Sequence, residues 1–399
     1  VQDTARLESC FARGDLLHPL AGLPGFMDMA CAVAALAGVS VPAAGPFTAQ
    51  VCSRIGQAQR CVFVLVDGMG IRQLEENLPA DSFLQRHLEM ELRAAFLSTT
   101  AAALTSLATC RWPAEHAVPA WFTFVEKLGH GVLPLPFVEQ GTKTPLPKLG
   151  ITPGDVFPLP PVWGQSRRRL VSLMPAGICD SVYTRYSSGG TPRTGYTNLN
   201  DAFTQLVSLA LAADEAEFVY CYLPQLDEMA HEKGNGDPGV RRLMGTLNAK
   251  IESLAGRLPR DTRLIVGADH GQADVPPDGR RIILPEDDPL AAMLVCKPTG
   301  EPCVPIFHVR RGQEEAFSAM FSSRFGDVFA LVAPDEAGKL RLFGPMPLSP
   351  VMKQRLGTFM GICLQPAKFH VLPLPDSHVN IGVHGSLSPA EMRIPLIVA

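Results

Sequence analysis

Short apolar runs alternate along this chain with stretches whose apolar positions recur every three or four residues. CVFVLVDG (61–68), LRAAFLSTT (92–100), EFVYCYLPQLD (217–227) and TRLIVGADHG (262–271) are such runs. Each is dense in apolar residues and ends in an acid, a hydroxyl or an imidazole. Each therefore predicts a strand buried on both faces. Helices are expected near 26–38, over 72–86, 101–110 and 201–214, and over the amphipathic stretch 240–259. Strand alternating with helix predicts an α/β fold, with a central mostly parallel sheet flanked by helices on both faces.

Two stretches interrupt that rhythm. Residues 111–200 are rich in proline, glycine and aromatics, which predicts a lid insertion. Residues 290–370 hold PIFHVR, the helical EEAFSAMFSSRFG and FALVAP, which predict a small α/β cap insertion. The expected plan is an N-terminal segment (1–55), a core made of 56–289 and 371–399, and these two insertions.

Composition narrows the class. The 399 residues are 46% hydrophobic and 19% charged, enough to bury a large core. A net charge of −4 argues against a nucleic-acid polymer or an anionic membrane as partner. No run of apolar residues is long enough to span a bilayer. The ten cysteines are scattered without a C-x-x-C pair, and several lie in apolar runs, so they read as core thiols in a reducing compartment. A cytoplasmic location is the expectation. A chain that starts at Val1 leaves an exported form open. Oligomeric state is not legible.

The polar residues at the strand ends change the picture most. They are Asp67, Thr100, Asp227 with His231, and Asp269 with His270, with His384 much later. In a parallel sheet such groups converge at the carboxyl edge. Carboxylates mixed with imidazoles suit zinc, or manganese at a more oxygen-rich site. Two divalent ions together can activate a nucleophile, stabilise a leaving oxygen and neutralise a phosphoryl group. Thr100 opens a predicted helix, whose free N–H groups favour an anion. The rival readings are ordinary: an Asp-Gly turn at 67, helix capping by Thr99 or Thr100, a surface Asp227–His231 pair, and a surface His384.

Five segments in order then resemble the alkaline phosphatase superfamily, on its nucleotide pyrophosphatase/phosphodiesterase side. They are VLVDGMG, STTAAALTSLATCRWPAEH, LPQLDEMAHEKG, GADHGQAD and HGSLSPAEMRIPLIVA. The resemblance implies one metal on Asp227, His231 and His384. It implies a second on Asp67, Asp269 and His270, with Thr100 as nucleophile reaching toward it. It also implies a phospho-threonine intermediate and a small-molecule phosphoester substrate, and it is what prefers Thr100 over Thr99. Three positions depart from the family pattern. Cys110 and Ala117 stand where glycine is usual, and Trp121 stands where phosphodiesterase members carry an asparagine that holds phosphoryl oxygens. Trp121 is therefore expected to line an apolar or aromatic pocket, and nucleotide specificity does not carry over.

A phosphomonoesterase and a phosphonate C–P hydrolase are the rival activities, since both would use the same metal set. A non-catalytic scaffold is disfavoured by the intact motif residues. His116 is expected to make a structural hydrogen bond. His130, His308, His370 and His378, the cluster Arg167, Arg168 and Arg169, and the methionines Met174, Met229 and Met293 are expected to be structural or solvated.

Overall fold

A computed structural model describes residues 2–20, 22–41, 47–212, 217–277, 280–374 and 380–399. Its centre is a sheet of seven strands: β1 (Arg60–Val66), β2 (Leu88–Arg93), β3 (Leu170–Pro175), β4 (Arg193–Tyr196), β5 (Phe218–Leu223), β6 (Thr262–Gly267) and β7 (Arg393–Val398). Their order across the sheet is β2-β7-β6-β1-β5-β3-β4. From β6 to β4 every pairing is parallel, and β7 runs antiparallel to both its neighbours. This is the mostly parallel α/β core that the alternation predicts. The middle strands are buried along almost their whole length because helices cover both faces.

Three local expectations are corrected. The strand foreseen over 92–100 is instead β2 at 88–93. Residues 94–99 leave the sheet as a buried loop, so their apolarity reports burial and not extended pairing. The helix foreseen over 72–86 is two, Ile71–Asn77 and Phe83–Arg86, because Pro79 cannot continue the first. The run 217–227 is a strand only to Leu223. Pro224 then caps the helix Gln225–Lys233, which carries Asp227 and His231 one turn apart.

The stretch 111–200 is likewise not one insertion. Its first part forms a small antiparallel sheet (Thr123–Val125, His130–Leu133, Val138–Glu139) and short helical turns, but β3 and β4 belong to the central sheet. Further on, Thr299–Glu301, Val304–Phe307, Phe359–Cys363 and Phe329–Val332 form a separate antiparallel sheet. The helix Glu314–Phe325 packs on it through Phe317 and Phe321 against Phe307.

The N-terminal segment is part of the core. The helix Phe26–Leu36 is almost wholly buried, and its Asp28 accepts bonds from the Gly25 and Phe47 amides and from Thr48. Met29 lies over β6 where Gly267 has no side chain; a Cβ there would sit 2.6 Å from its sulfur. All ten cysteines are free and eight are buried, as expected of core thiols.

Candidate active site

The carboxyl ends of β1 and β6 lie side by side. Gly70 and Gly271 let the loops that follow touch backbone to backbone, since a Cβ on Gly70 would sit 2.7 Å from the Gly271 Cα. That contact brings together Asp67, one residue past β1, and Asp269, two past β6. Asp269 Oδ1 accepts from the amides of Gly68 (3.2 Å) and His270 (3.0 Å). His270 Nε2 lies 3.4 Å from both Asp67 Oδ1 and Asp269 Oδ2. Thr100 Oγ1 sits 3.2 Å from the same nitrogen and 3.4 Å from Asp67 Oδ2. The Tyr222 hydroxyl also donates to Asp67 Oδ2.

A second group stands beside the first. Asp227 Oδ2 is 3.2 Å from His231 Nε2, and Asp227 Oδ1 is 3.8 Å from His384 Nε2. Gln272 donates its side-chain amide to Asp227. The His270 and His384 rings stack at 3.8 Å. Ligand atoms of Asp67, Asp269 and His270 all lie within 4.8 Å of one another, as do those of Asp227, His270 and His384. His270 thus stands between the two groups. His231 joins the second through Asp227 and through His384, whose Nε2 faces its own at 3.1 Å. The structure therefore brings together all seven residues singled out in the sequence.

Whether these residues suit metal ions can be judged from their own hydrogen bonds. His231, His270 and His384 each place Nδ1 against a backbone carbonyl, of Gly382 (2.8 Å), Gly271 (3.1 Å) and Ser98 (3.0 Å). A carbonyl only accepts, so Nδ1 carries the proton and Nε2 turns a lone pair inward, the arrangement of metal-bound histidines. Among the described residues, Asp67 Oδ1 and Asp269 Oδ2 are buried without a hydrogen-bond donor. Buried, unpaired carboxylate oxygens are costly unless a cation meets them. The donor set fits divalent cations.

The charged groups of the cluster pull against one another. Burial, then the charges of Asp269 and Asp227, push the Asp67 carboxyl well above the ordinary range. Burial works in the same direction on Asp227, but the imidazoles of His231, His384 and His270 outweigh it and hold that carboxyl low. Burial opposes protonation of His231, yet the charge and hydrogen bond of Asp227 raise it to about 9, so a cation held by its Nε2 would displace a proton from that nitrogen.

Thr100 is the first residue of the helix Thr100–Thr109, whose N-terminus faces this cluster. Beside it opens a cavity of about 440 Å³ lined by apolar residues of that helix (Leu104, Leu107, Ala108) and by Trp121, Trp163 and Met174. Met174, expected only to pack, thus faces this space. A smaller cavity of about 250 Å³ holds Thr100, Asp227, His231 and His384, and Trp121 borders both.

Glu301 also lines the smaller cavity, and no motif or spacing in the chain points to it. It lies in the separate antiparallel sheet, 202 residues along the chain from Thr99, whose hydroxyl it meets. Tyr222 and Gln272, the polar partners of Asp67 and Asp227, escaped notice because each looks like a strand or loop residue beside a stronger motif.

The remaining candidates take structural places. His116 bonds Ser106 Oγ (3.0 Å) and accepts from the Val118 amide (3.1 Å); burial, then Arg355, push it down to about 3. His308 stacks on Phe124 and His130 meets Glu139. His370 is buried in the strand Lys368–Val371, and His378 lies outside the described residues. Arg167, Arg168 and Arg169 precede β3, at the edge of the sheet opposite the cluster, where Arg168 donates to the carbonyls of Ala58 and Gln59.

The sequence model of the type I phosphodiesterase / nucleotide pyrophosphatase family matches residues 61–319. Among solved structures, murine ectonucleotide pyrophosphatase / phosphodiesterase 5 is 16% identical with a TM-score of 0.61, over 85% of this chain and 87% of that one. It is also known as an inactive threonine-to-alanine variant in complex with AMP. The human protein of the same name is 14% identical with a TM-score of 0.62, over 85% and 87% of the two chains. Phosphonoacetate hydrolase from Sinorhizobium meliloti 1021, in complex with phosphonoformate, is 15% identical with a TM-score of 0.59, over 86% and 90%. At such identities the likeness is one of fold. No curated protein sequence matches the chain.

Proposed function

The chain belongs to the type I phosphodiesterase / nucleotide pyrophosphatase family, within the alkaline phosphatase superfamily, and on that footing we propose that it cleaves phosphodiester or pyrophosphate bonds with Thr100 as nucleophile at a two-metal site. Hydrolysis of phosphoester bonds, with metal, is the family's chemistry. The observation that carries the finer reading is the position of Thr100 Oγ1, between Asp67 Oδ2 and His270 Nε2 at the mouth of a helix N-terminus.

Asp67, Asp269 and His270 would hold one ion, and Asp227, His231 and His384 the other. Zinc is the first choice for this mixture of nitrogen and carboxylate, with manganese the alternative. Bound there, the ions supply Lewis acidity toward the Thr100 hydroxyl, the phosphoryl oxygens and the leaving oxygen.

The protein's own groups do the rest. Thr100 Oγ attacks phosphorus in line, the bond from phosphorus to the leaving oxygen breaks, and a phospho-threonine forms. Water then attacks the same phosphorus, the bond to Thr100 Oγ breaks, and the hydroxyl is restored. The first N–H groups of the helix Thr100–Thr109 face the phosphoryl oxygens. Tyr222 and Gln272 fix the carboxylates of Asp67 and Asp227. One ester substituent enters the apolar cavity bordered by Trp121.

The test compares bis-p-nitrophenyl phosphate with p-nitrophenyl phosphate, using the metal-loaded protein, Thr100→Ala and an EDTA-treated sample. The expected result is diester hydrolysis that disappears in both controls. Turnover that survives Thr100→Ala rules out the nucleophile. Faster monoester turnover moves the protein to the phosphatase branch. Likeness of fold to phosphonoacetate hydrolase makes phosphonoacetate the third substrate to try. Its turnover, with neither nitrophenyl ester cleaved, would replace the diesterase reading.

A further inference from the structure

Glu301 is a buried carboxylate at the phosphoryl site that belongs to neither group of candidate ligands. It ends the strand Thr299–Glu301 of the separate antiparallel sheet and reaches the site from there. Its Oε1 accepts from Thr99 Oγ1 (2.6 Å) and from the Trp121 amide (2.8 Å). Thr99 precedes the nucleophile. Trp121 occupies the place where the family pattern has an asparagine toward the phosphoryl oxygens. The stem of Glu301 lies on Gly385, next to His384, where a Cβ would come within 2.6 Å of its Cγ. The carboxylate therefore borders the cavity that also holds Thr100, Asp227, His231 and His384. Lys368 lines the same cavity; its ammonium donates to the Asn380 carbonyl, and burial, then Arg281, lowers it to about 8, so its charge is a background common to the native protein and the Glu301 variants compared at one pH.

A fixed negative charge beside a phosphoryl group has an unequal effect on different substrates. A phosphodiester carries one negative charge and a phosphomonoester at alkaline pH carries two. Repulsion by Glu301 is about twice as large for the second, in a site partly withdrawn from water. We infer that Glu301 is a specificity-determining residue that selects singly charged phosphodiesters against doubly charged phosphoryl groups at Thr100, an inference that rests on the phosphoester-hydrolase reading above. An amide toward the phosphoryl oxygens accepts either charge state. Here Trp121 supplies no such amide side chain, and a carboxylate stands behind its backbone.

Glu301→Gln isolates the charge, because glutamine keeps an acceptor for Thr99 and Trp121 at the same reach. Binding of inorganic phosphate and of dimethyl phosphate to the metal-loaded protein is measured by calorimetry at mildly alkaline pH. That is above the value of about 7 to which burial, against the bonds from Thr99 and Trp121, pushes Glu301. The variant should bind phosphate about ten-fold tighter and dimethyl phosphate only about three-fold tighter. In turnover, the monoester-to-diester ratio of kcat/KM should rise by the quotient of the two, about three-fold. Glu301→Asp keeps the charge and shortens the arm. It should retain the discrimination while losing kcat for both ester classes. If Glu301→Gln changes both ligands equally or neither, or if Glu301→Asp loses the discrimination, Glu301 is not the selector. The calorimetry reads charge selection even if neither nitrophenyl ester is cleaved, so failure of the hydrolase reading and failure of this one are told apart.

Discussion

The apolar cavity beside Thr100 makes a quantitative demand on substrate choice. Consider p-nitrophenyl phosphodiesters whose other ester group is methyl, propyl or hexyl. The leaving group is constant, so differences in kcat/KM report what the alkyl chain gains in the transition state relative to water. The cavity measures about 440 Å³ and its wall is mostly side chains such as Leu104, Leu107 and Trp163. A methylene moved fully from water into such a wall contributes about 0.8 kcal/mol, or about four-fold, and one that is half desolvated about two-fold. From methyl to hexyl, five methylenes should raise kcat/KM by between about thirty-fold and about a thousand-fold. Ala108→Phe, which puts a ring into the space, should flatten the slope. The assay is release of p-nitrophenolate under first-order conditions. A series flat to within about two-fold in the native protein would show that no ester substituent enters the cavity, and the placement of substrate beside Trp121 would fall with it.

Two further outcomes follow from the helix that carries Thr100 and its surroundings. Ala117 adopts a left-handed conformation (φ 58°), which disfavours any residue with a Cβ. Ala117→Gly should stabilise the protein by about 1 kcal/mol, read as a higher urea midpoint at unchanged slope; a lower midpoint would refute the strain. His116 is held neutral in the fold, with its value down at about 3, and in the unfolded chain it returns to the ordinary range near 6.5. A depressed folded value means that its contribution is complete above the unfolded value and is lost as pH falls from there toward about 3. Lowering the pH from 7 to 5 should therefore cost about 2 kcal/mol that His116→Asn does not lose. Equal acid sensitivity in urea titrations of the two proteins would refute it.

The sequence was most informative where chemistry and local geometry coincide. Asp67 and Asp269 follow short apolar runs, which periodicity reads as strands ending at one edge of a sheet; the family resemblance is what singled them out as ligands together with Asp227 and His231. It was least informative where burial and conformation part company. Ala94–Thr99 is as apolar as a strand because it is a loop under the active site, and β3 and β4 hide behind proline-rich sequence that resembles a lid. Glu301 illustrates a third limit. Its neighbours Thr99 and Trp121 are set by the docking of a separate sheet, and no spacing in the chain encodes that contact. The usual glycines replaced by Cys110 and Ala117 look like departures in the sequence. In the structure both positions are left-handed, which explains the preference that these two residues override.

The position of β7 bears on how the molecule is made. It is the last strand in chain order, yet it lies inside the sheet, between β2 and β6. While a ribosome is still adding the preceding residues, β2 has no partner strand among the described residues, and β6 presents an open hydrogen-bonding edge beside the forming candidate metal site. His384 is also still missing or only just emerging. Until residues 393–398 are added, the nascent protein is thus a split sheet with an incomplete set of candidate ligands, exposed to pairing with other chains. Sheet closure and completion of the candidate metal site become one event, so the most vulnerable edge is covered as the last candidate ligand comes into place.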